Sequence, residues 1–139
     1  NAGVDESNVA GRDNVLLLPK NPDISAKKIM NFFKKKYNTD IGLVITDTFG
    51  RPWRVGQVNV AIGVSGIPVT KSEKGTEDSF GNFMKVTEPA FCDEIAAASG
   101  LVIKKSSKTP IVLFRGLEWA NAKSSIKDVL RKKKEDMFL

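Results

Sequence analysis

Two acidic positions flanked by hydroxyl or amide groups are the first candidates for chemistry. Asp47-Thr48 ends the apolar run from Ile41 to Thr46, and Asp5 lies between Gly3 and Asn8 near the start of the chain. Hard divalent cations such as magnesium and manganese are held by oxygen, commonly one or two carboxylates with water and substrate phosphates. Each position also has a plainer reading, Asp5 as a turn cap with Ser7 and Asp47-Thr48 as a strand-end turn or helix cap. Arg51, Trp53 and Arg54 form a second group, in which guanidiniums clamp carboxylate or phosphate and the indole stacks on a flat ring. Packing of Trp53 and salt bridges from the arginines are the alternative. Lys104, Lys105, Ser106, Ser107 and Lys108 can cradle phosphates with backbone amides and ammonium groups, or simply form a solvated loop. Asp78, Asp93 and Glu94 are acid–base candidates by residue type only.

Several chemistries are excluded. With no histidine, Ser-His and Cys-His nucleophiles and imidazole metal sites are absent. The single cysteine, Cys92, sits in an alanine-rich apolar stretch and reads as a buried structural thiol in a reducing, cytoplasmic setting. Thr70-Lys71-Ser72 lacks the glycine that a Walker loop needs before its lysine, and no G-x-G-x-x-G element is present.

The elements that must position these residues follow from periodicity. Val15 to Leu18 reads as a short buried strand closed by Pro19, and Asn21-Pro22-Asp23 as a turn. Ala26, Ile29, Met30, Phe33 and Tyr37 share one helical face opposite lysines, which predicts a helix over 25–37 capped by Ser25. Ile41 to Thr46 predicts a strand buried on both faces and Val58 to Val64 another, with a loop at 49–56. Residues 67–85 predict a long irregular connection. A helix follows, capped by Thr87 with Pro89 in its first turn and weakened near its end by Gly100. Pro110 to Phe114 predicts a strand, and Ser124 to Leu130 a short amphipathic helix. The sum is one α/β domain over 1–139, a mixed sheet with surface helices.

The composition, 41% hydrophobic and 27% charged, is that of a globular domain and excludes a disordered tail. Apolar runs such as VLLL at 15–18 are far shorter than the roughly 20 residues of a membrane span. Lys and Arg exceed Asp and Glu by 22 to 16, a net +6 that favours polyanions such as nucleic acid, nucleotides or phosphorylated cofactors. Asn1 in place of Met reads as an internal start.

Six stretches in order carry a family resemblance: NAGVDESN at 1–8, LLLPKNPDISA at 16–26, ITDTFGRPWRVGQVNVAIGVSG at 45–66, KGTEDSFGN at 74–82, VTEPAFCDEIAAASGLV at 86–102 and PIVLFRG at 110–116. Together they resemble the coenzyme F-420-0:L-glutamate ligase family, of which this chain would be the C-terminal half to two-thirds, the N-terminal part being absent. The resemblance implies a family-specific γ-glutamyl ligase fold, an intertwined homodimer, and GTP-dependent addition of L-glutamate to the coenzyme F-420 precursor, with further γ-linked glutamate. It implies that Asp5 and Asp47 hold one magnesium or manganese ion, that Thr48 contacts a second cation, that Asn8 contacts GTP, and that potassium is among the cations used. Arg51 and Arg54 are our candidates for an anionic substrate group. The family's loop before PIVLFRG is usually glycine-rich with a Glu or Gln for the second metal. Here Lys104-Lys105-Ser106-Ser107 replaces it, so either this loop meets GTP phosphates or the second cation site is altered. Two alternatives remain, a basic nucleic-acid-binding module and a catalytically silent half of the ligase.

Overall fold

In the computed structural model, residues 4–7, 9–11, 13–104 and 106–136 are described. The elements in order are β1 (Val4–Asp5), β2 (Leu16–Leu17), α1 (Pro22–Tyr37), β3 (Leu43–Arg51), β4 (Arg54–Ser65) and α2 (Phe91–Val102), with 3₁₀ turns at Ile126–Val129 and Lys133–Glu135.

β3 and β4 form the centre. Their Val-, Ile- and Thr-rich sequences favour extended, half-buried backbone, and they pair antiparallel from Leu43↔Ser65 to Arg51↔Arg54. The ladder runs through the segment read as a loop, because the chain reverses in only two residues, Pro52 and Trp53. Pro52 takes the first central position and Trp53 the second at φ 56°, the sign pattern of a type II turn. The register shifts between Ile45 and Thr46, where Ile62 is the extra residue, and again near the tip.

The hairpin is covered on both faces by helices. Gly63 meets α1, since a Cβ there would lie 2.5 Å from that of Pro22. The next residue, Val64, joins the core of Ala61, Ile67, Val69 and Cys92, with Phe91 and Ile95 of α2 packed against it. Neighbouring strand residues face opposite ways, so α1 and α2 lie on opposite sides. Trp119 returns the later chain to this core, donating from Nε1 to the Gly66 carbonyl at 3.0 Å. Asp23 of α1 ties three parts together, accepting from the Val64 amide at 2.8 Å, the Ser125 hydroxyl at 2.8 Å and the Ile126 amide.

Several expectations are corrected. The sheets are not mixed: both described ladders are two-stranded and antiparallel, β1 with β2 and β3 with β4. β2 is exposed rather than buried, because its ladder partner is the two-residue β1, and β3 is half-buried along its first residues rather than buried on both faces, since one neighbouring strand and two helices do not enclose it. α1 starts three residues earlier than expected, capped by Asn21, whose side chain accepts from the Ile24 amide, with Pro22 in the first turn. α2 begins after Ala90 with no side-chain cap, leaving Thr87 and Pro89 outside it. Residues 110–114 lie outside regular structure, because among the described residues no strand pairs with them, and the helix expected over 124–130 shrinks to a single 3₁₀ turn. Among the described residues no helix is long and apolar enough to cross a membrane.

Candidate functional site

The middle of β3 places Asp47 and Thr48 side by side. Asp47 is exposed and its Oδ1 accepts from the Thr48 amide at 2.7 Å, so the carboxylate is held close to the strand by a local bond. Thr48 is half-buried and sits directly opposite Asn59, with its Oγ1 donating to Asn59 Oδ1 at 2.7 Å. Asp47 and Thr48 thus offer carboxylate and hydroxyl oxygens, donor types suited to hard cations, while as consecutive strand residues they leave opposite faces of the ladder.

Asp5 belongs to the separate β1–β2 ladder. It accepts from the Ser7 amide at 2.8 Å and from the Ser7 hydroxyl at 2.9 Å, which is the turn-cap arrangement. Among the described residues no three Asp, Glu, Cys or His side chains gather closely enough to hold a metal by themselves. Asn8 and Lys105 lie outside the described residues.

Arg51 and Arg54 face each other at the hairpin tip. Directly opposed like charges are unfavourable in a ladder, and a bound anion relieves them. Arg51 donates from Nη2 to the Val55 carbonyl at 3.2 Å, while its Nε is buried without a hydrogen-bond partner. Trp53 stands 87% exposed beside them. Arg51 lies four residue steps along the strand from Asp47, about 13 Å, so the tip and the Asp47 carboxylate would contact different groups of one extended ligand.

The Lys104–Ser107 loop follows directly from α2. Gly100 of that helix lies against Asn59, so the loop begins four residues along the chain from a contact with the partner of Thr48. Its Ser107 amide donates to the Lys104 carbonyl at 3.1 Å, and the Ser107 hydroxyl to the same carbonyl at 3.0 Å. These groups close the turn on itself, leaving the Ser106 side chain and the Lys104 ammonium group outside the turn's own bonds. Lysines after the last helical turn also complement the negative end of the helix dipole.

The remaining acids hold structure. Asp78 Oδ1 accepts from the amides of Phe80 and Asn82, both at 2.8 Å, and these bonds depress its pKa below the ordinary 3.8. Asp93 accepts from the Ala61 amide at 2.9 Å, and Glu94 is exposed. A cleft of about 460 Å³ between the start of α2 and the 3₁₀ turn is lined by Glu88, Asp93, Asp128, Thr70 and Arg131 among others. Its three carboxylates all have protein donors, from Thr70, Ala61 and Ser125 respectively. Asn59 was missed at the level of sequence; the available signal is a lone amide in the otherwise apolar stretch Val58 to Val64.

Comparison with known proteins adds a family. The model of the F420-0:Gamma-glutamyl ligase family matches residues 1–116. A coenzyme F420:L-glutamate ligase from Methanocaldococcus jannaschii is 41% identical over 139 residues, covering 99% of this chain and 55% of the relative. One of the same name from Methanopyrus kandleri is 45% identical over 119 residues, 85% of this chain and 47% of its own length. A third, from Methanothermobacter thermautotrophicus, is 39% identical over 143 residues, covering 99% of this chain and 56% of the relative. The chain therefore spans about half the length of the curated relatives it matches.

Proposed function

Because the chain belongs to the F420-0:gamma-glutamyl ligase family, we propose that it takes part in GTP-dependent ligation of L-glutamate to the coenzyme F-420 precursor, with further γ-linked glutamates added in turn. The observation that carries this reading is the Asp47–Thr48–Asn59 cluster on the central hairpin, within the stretch where the family match runs. A carboxylate does not react with an amine at neutral pH, so the carboxylate oxygen of the precursor first takes the γ-phosphoryl group of GTP, releasing GDP. The glutamate amine then attacks the acyl carbon of that mixed anhydride, phosphate departs with its electron pair, and the nitrogen loses a proton. No protein nucleophile is needed, which fits a chain without histidine and with a buried thiol.

The residues fit a divalent ion. Asp5, Asp47 and Thr48 offer only oxygen, and the Thr48 proton is already directed to Asn59, so magnesium or manganese suits them and a thiophilic metal does not. Such an ion neutralises charge on the β- and γ-phosphates when bound. Potassium would be a monovalent companion on the Thr48 side. The residues' own work is to orient the phosphates along β3, with Asn8 and the Lys104–Ser107 loop as further GTP contacts. Arg51 and Arg54 would hold an anionic substrate group about 13 Å further along the hairpin. A homodimer in a cytoplasmic setting belongs to the same reading.

Calorimetric titration of the chain with GTP, with and without manganese, tests the proposal. Binding should require the metal, and Asp47→Asn should weaken it by about 100-fold or more. Unchanged binding in that variant removes Asp47 from the site. Tight, metal-independent and steeply salt-dependent binding of single-stranded RNA would instead favour the nucleic-acid module. One observation supports a second reading, in which the chain is silent until a partner covers it: its accessible surface is 11388 Å², against about 7,100 Å² for a self-contained monomer of this mass. GTP binding that appears only on adding the N-terminal half of a relative would favour that reading.

A further inference from the structure

We propose that Asn59 is a positioning residue that orients the Thr48 hydroxyl as a cation ligand, and that Gly100 of α2 supplies the space in which Asn59 does so; the inference rests on the metal reading above. Asn59 is half-buried on β4, where an amide side chain without a partner would be costly. Its partner is Thr48, directly across the ladder, whose hydroxyl donates to Asn59 Oδ1 at 2.7 Å. A threonine hydroxyl has one proton and two lone pairs. Left to rotate, that proton can turn toward an approaching cation. Fixed on Asn59, it is out of the way, and the lone pairs are directed elsewhere. A neutral amide does this without adding a second negative charge near Asp47.

Gly100 is the second half of the device. A Cβ at that position would lie 3.1 Å from Asn59 Nδ2 and 3.3 Å from its Cγ, closer than ordinary van der Waals contact. Any larger residue would push the amide toward or along β3 by a few tenths of an ångström. A glycine inside a helix is otherwise unfavourable relative to alanine. The close approach to Asn59 is the reason this helix carries one two residues before its end.

The test is manganese binding to the 139-residue chain, read by electron paramagnetic resonance with Mn²⁺ as the only added ligand. Asn59→Leu, similar in size but with no acceptor, should weaken binding by about 10-fold or more, the usual effect of losing an outer-shell partner. Asn59→Asp keeps the acceptor and should hold affinity within about threefold. Thr48→Val with Asn59→Leu should be no weaker than Thr48→Val alone, because Asn59 acts through that hydroxyl. Gly100→Ala, on an exposed helix position, should weaken binding by a smaller factor and guards against a folding defect in the strand variant.

A readout free of metal accompanies these. Three-bond couplings to the Thr48 γ-methyl should show one rotamer in the parent chain and averaging in Asn59→Leu. Asn59→Leu binding manganese as the parent does, or losses that add in the double variant, would overturn the inference. So would an averaged Thr48 in a parent chain that binds manganese. A parent chain with one Thr48 rotamer and no manganese uptake would overturn the metal reading itself.

Discussion

At the residue scale the structure separates reactive positions from inert ones by what surrounds them. Cys92 is fully buried, its Sγ donates to the Pro68 carbonyl at 3.1 Å, and burial together with the neighbouring Asp93 charge pushes the thiol from 9.0 up to about 12. The thiolate is the nucleophilic form, so the native chain should react with a thiol reagent at pH 8 orders of magnitude more slowly than the urea-unfolded chain. The same shift bears on stability. Between pH 9 and 12 the unfolded thiol loses its proton while the folded one keeps it, so folding free energy is complete below pH 9 and declines as pH rises through that window. The decline from this group is at most about 1.4 kcal/mol per pH unit. Urea titrations from pH 8 to 11 should therefore show a steeper fall for the parent than for Cys92→Ala; parallel curves would mean that Cys92 is far less buried than the structure has it.

At the element scale the close approach of α1 to β4 is the most exacting feature. Gly63 lets Pro22 lie on the strand, and a methyl there would be 2.5 Å from its Cβ and 2.6 Å from its carbonyl carbon. Gly63→Ala should cost about 1–3 kcal/mol through overpacking. Gly50→Ala, with nothing within 4 Å and no positive φ, should stay within about 0.5 kcal/mol. Equal urea midpoints for the two variants would deny the packing of α1. These elements were unequally legible in the sequence. The face of α1 could be read because 3.6-residue spacing is local, yet its first turn was hidden: Asn21-Pro22-Asp23 serves a turn or a helix start by the same side-chain bond to backbone. The reach of the hairpin was hidden because the positive φ at its tip falls on Trp53, where turn patterns look for glycine. Asp47-Thr48 could be found by its place at the end of an apolar run. Asn59 could not, since its meeting with Thr48 depends on register, which two irregularities reset. Pro110 to Phe114 has the right residues for a strand, with Ile111 and Leu113 on one exposed side, but strand formation needs a neighbour that no local pattern supplies.

At the scale of the whole molecule, surface is the dominant fact. An accessible area of 11388 Å² exceeds the ~7,100 Å² expected for 15.2 kDa by more than a typical protein–protein interface buries in total. Apolar side chains contribute to it, since Leu17, Val55, Phe80, Leu101 and Leu113 are all more than 60% exposed, and apolar surface left open to water favours association. The net charge of +6 acts against association between copies. The two effects respond oppositely to salt, since screening weakens repulsion at a Debye length of about 10 Å in 0.1 M salt while leaving apolar attraction intact. The chain alone should therefore bind a hydrophobic dye and sediment as a species whose mean mass rises with concentration and with salt between about 0.05 and 0.5 M. Leu17→Lys with Leu113→Lys should lower both signals without loss of helical circular dichroism, because neither side chain belongs to the buried core. A dye-silent monomer at every salt concentration would show that these faces are covered within one copy of the chain.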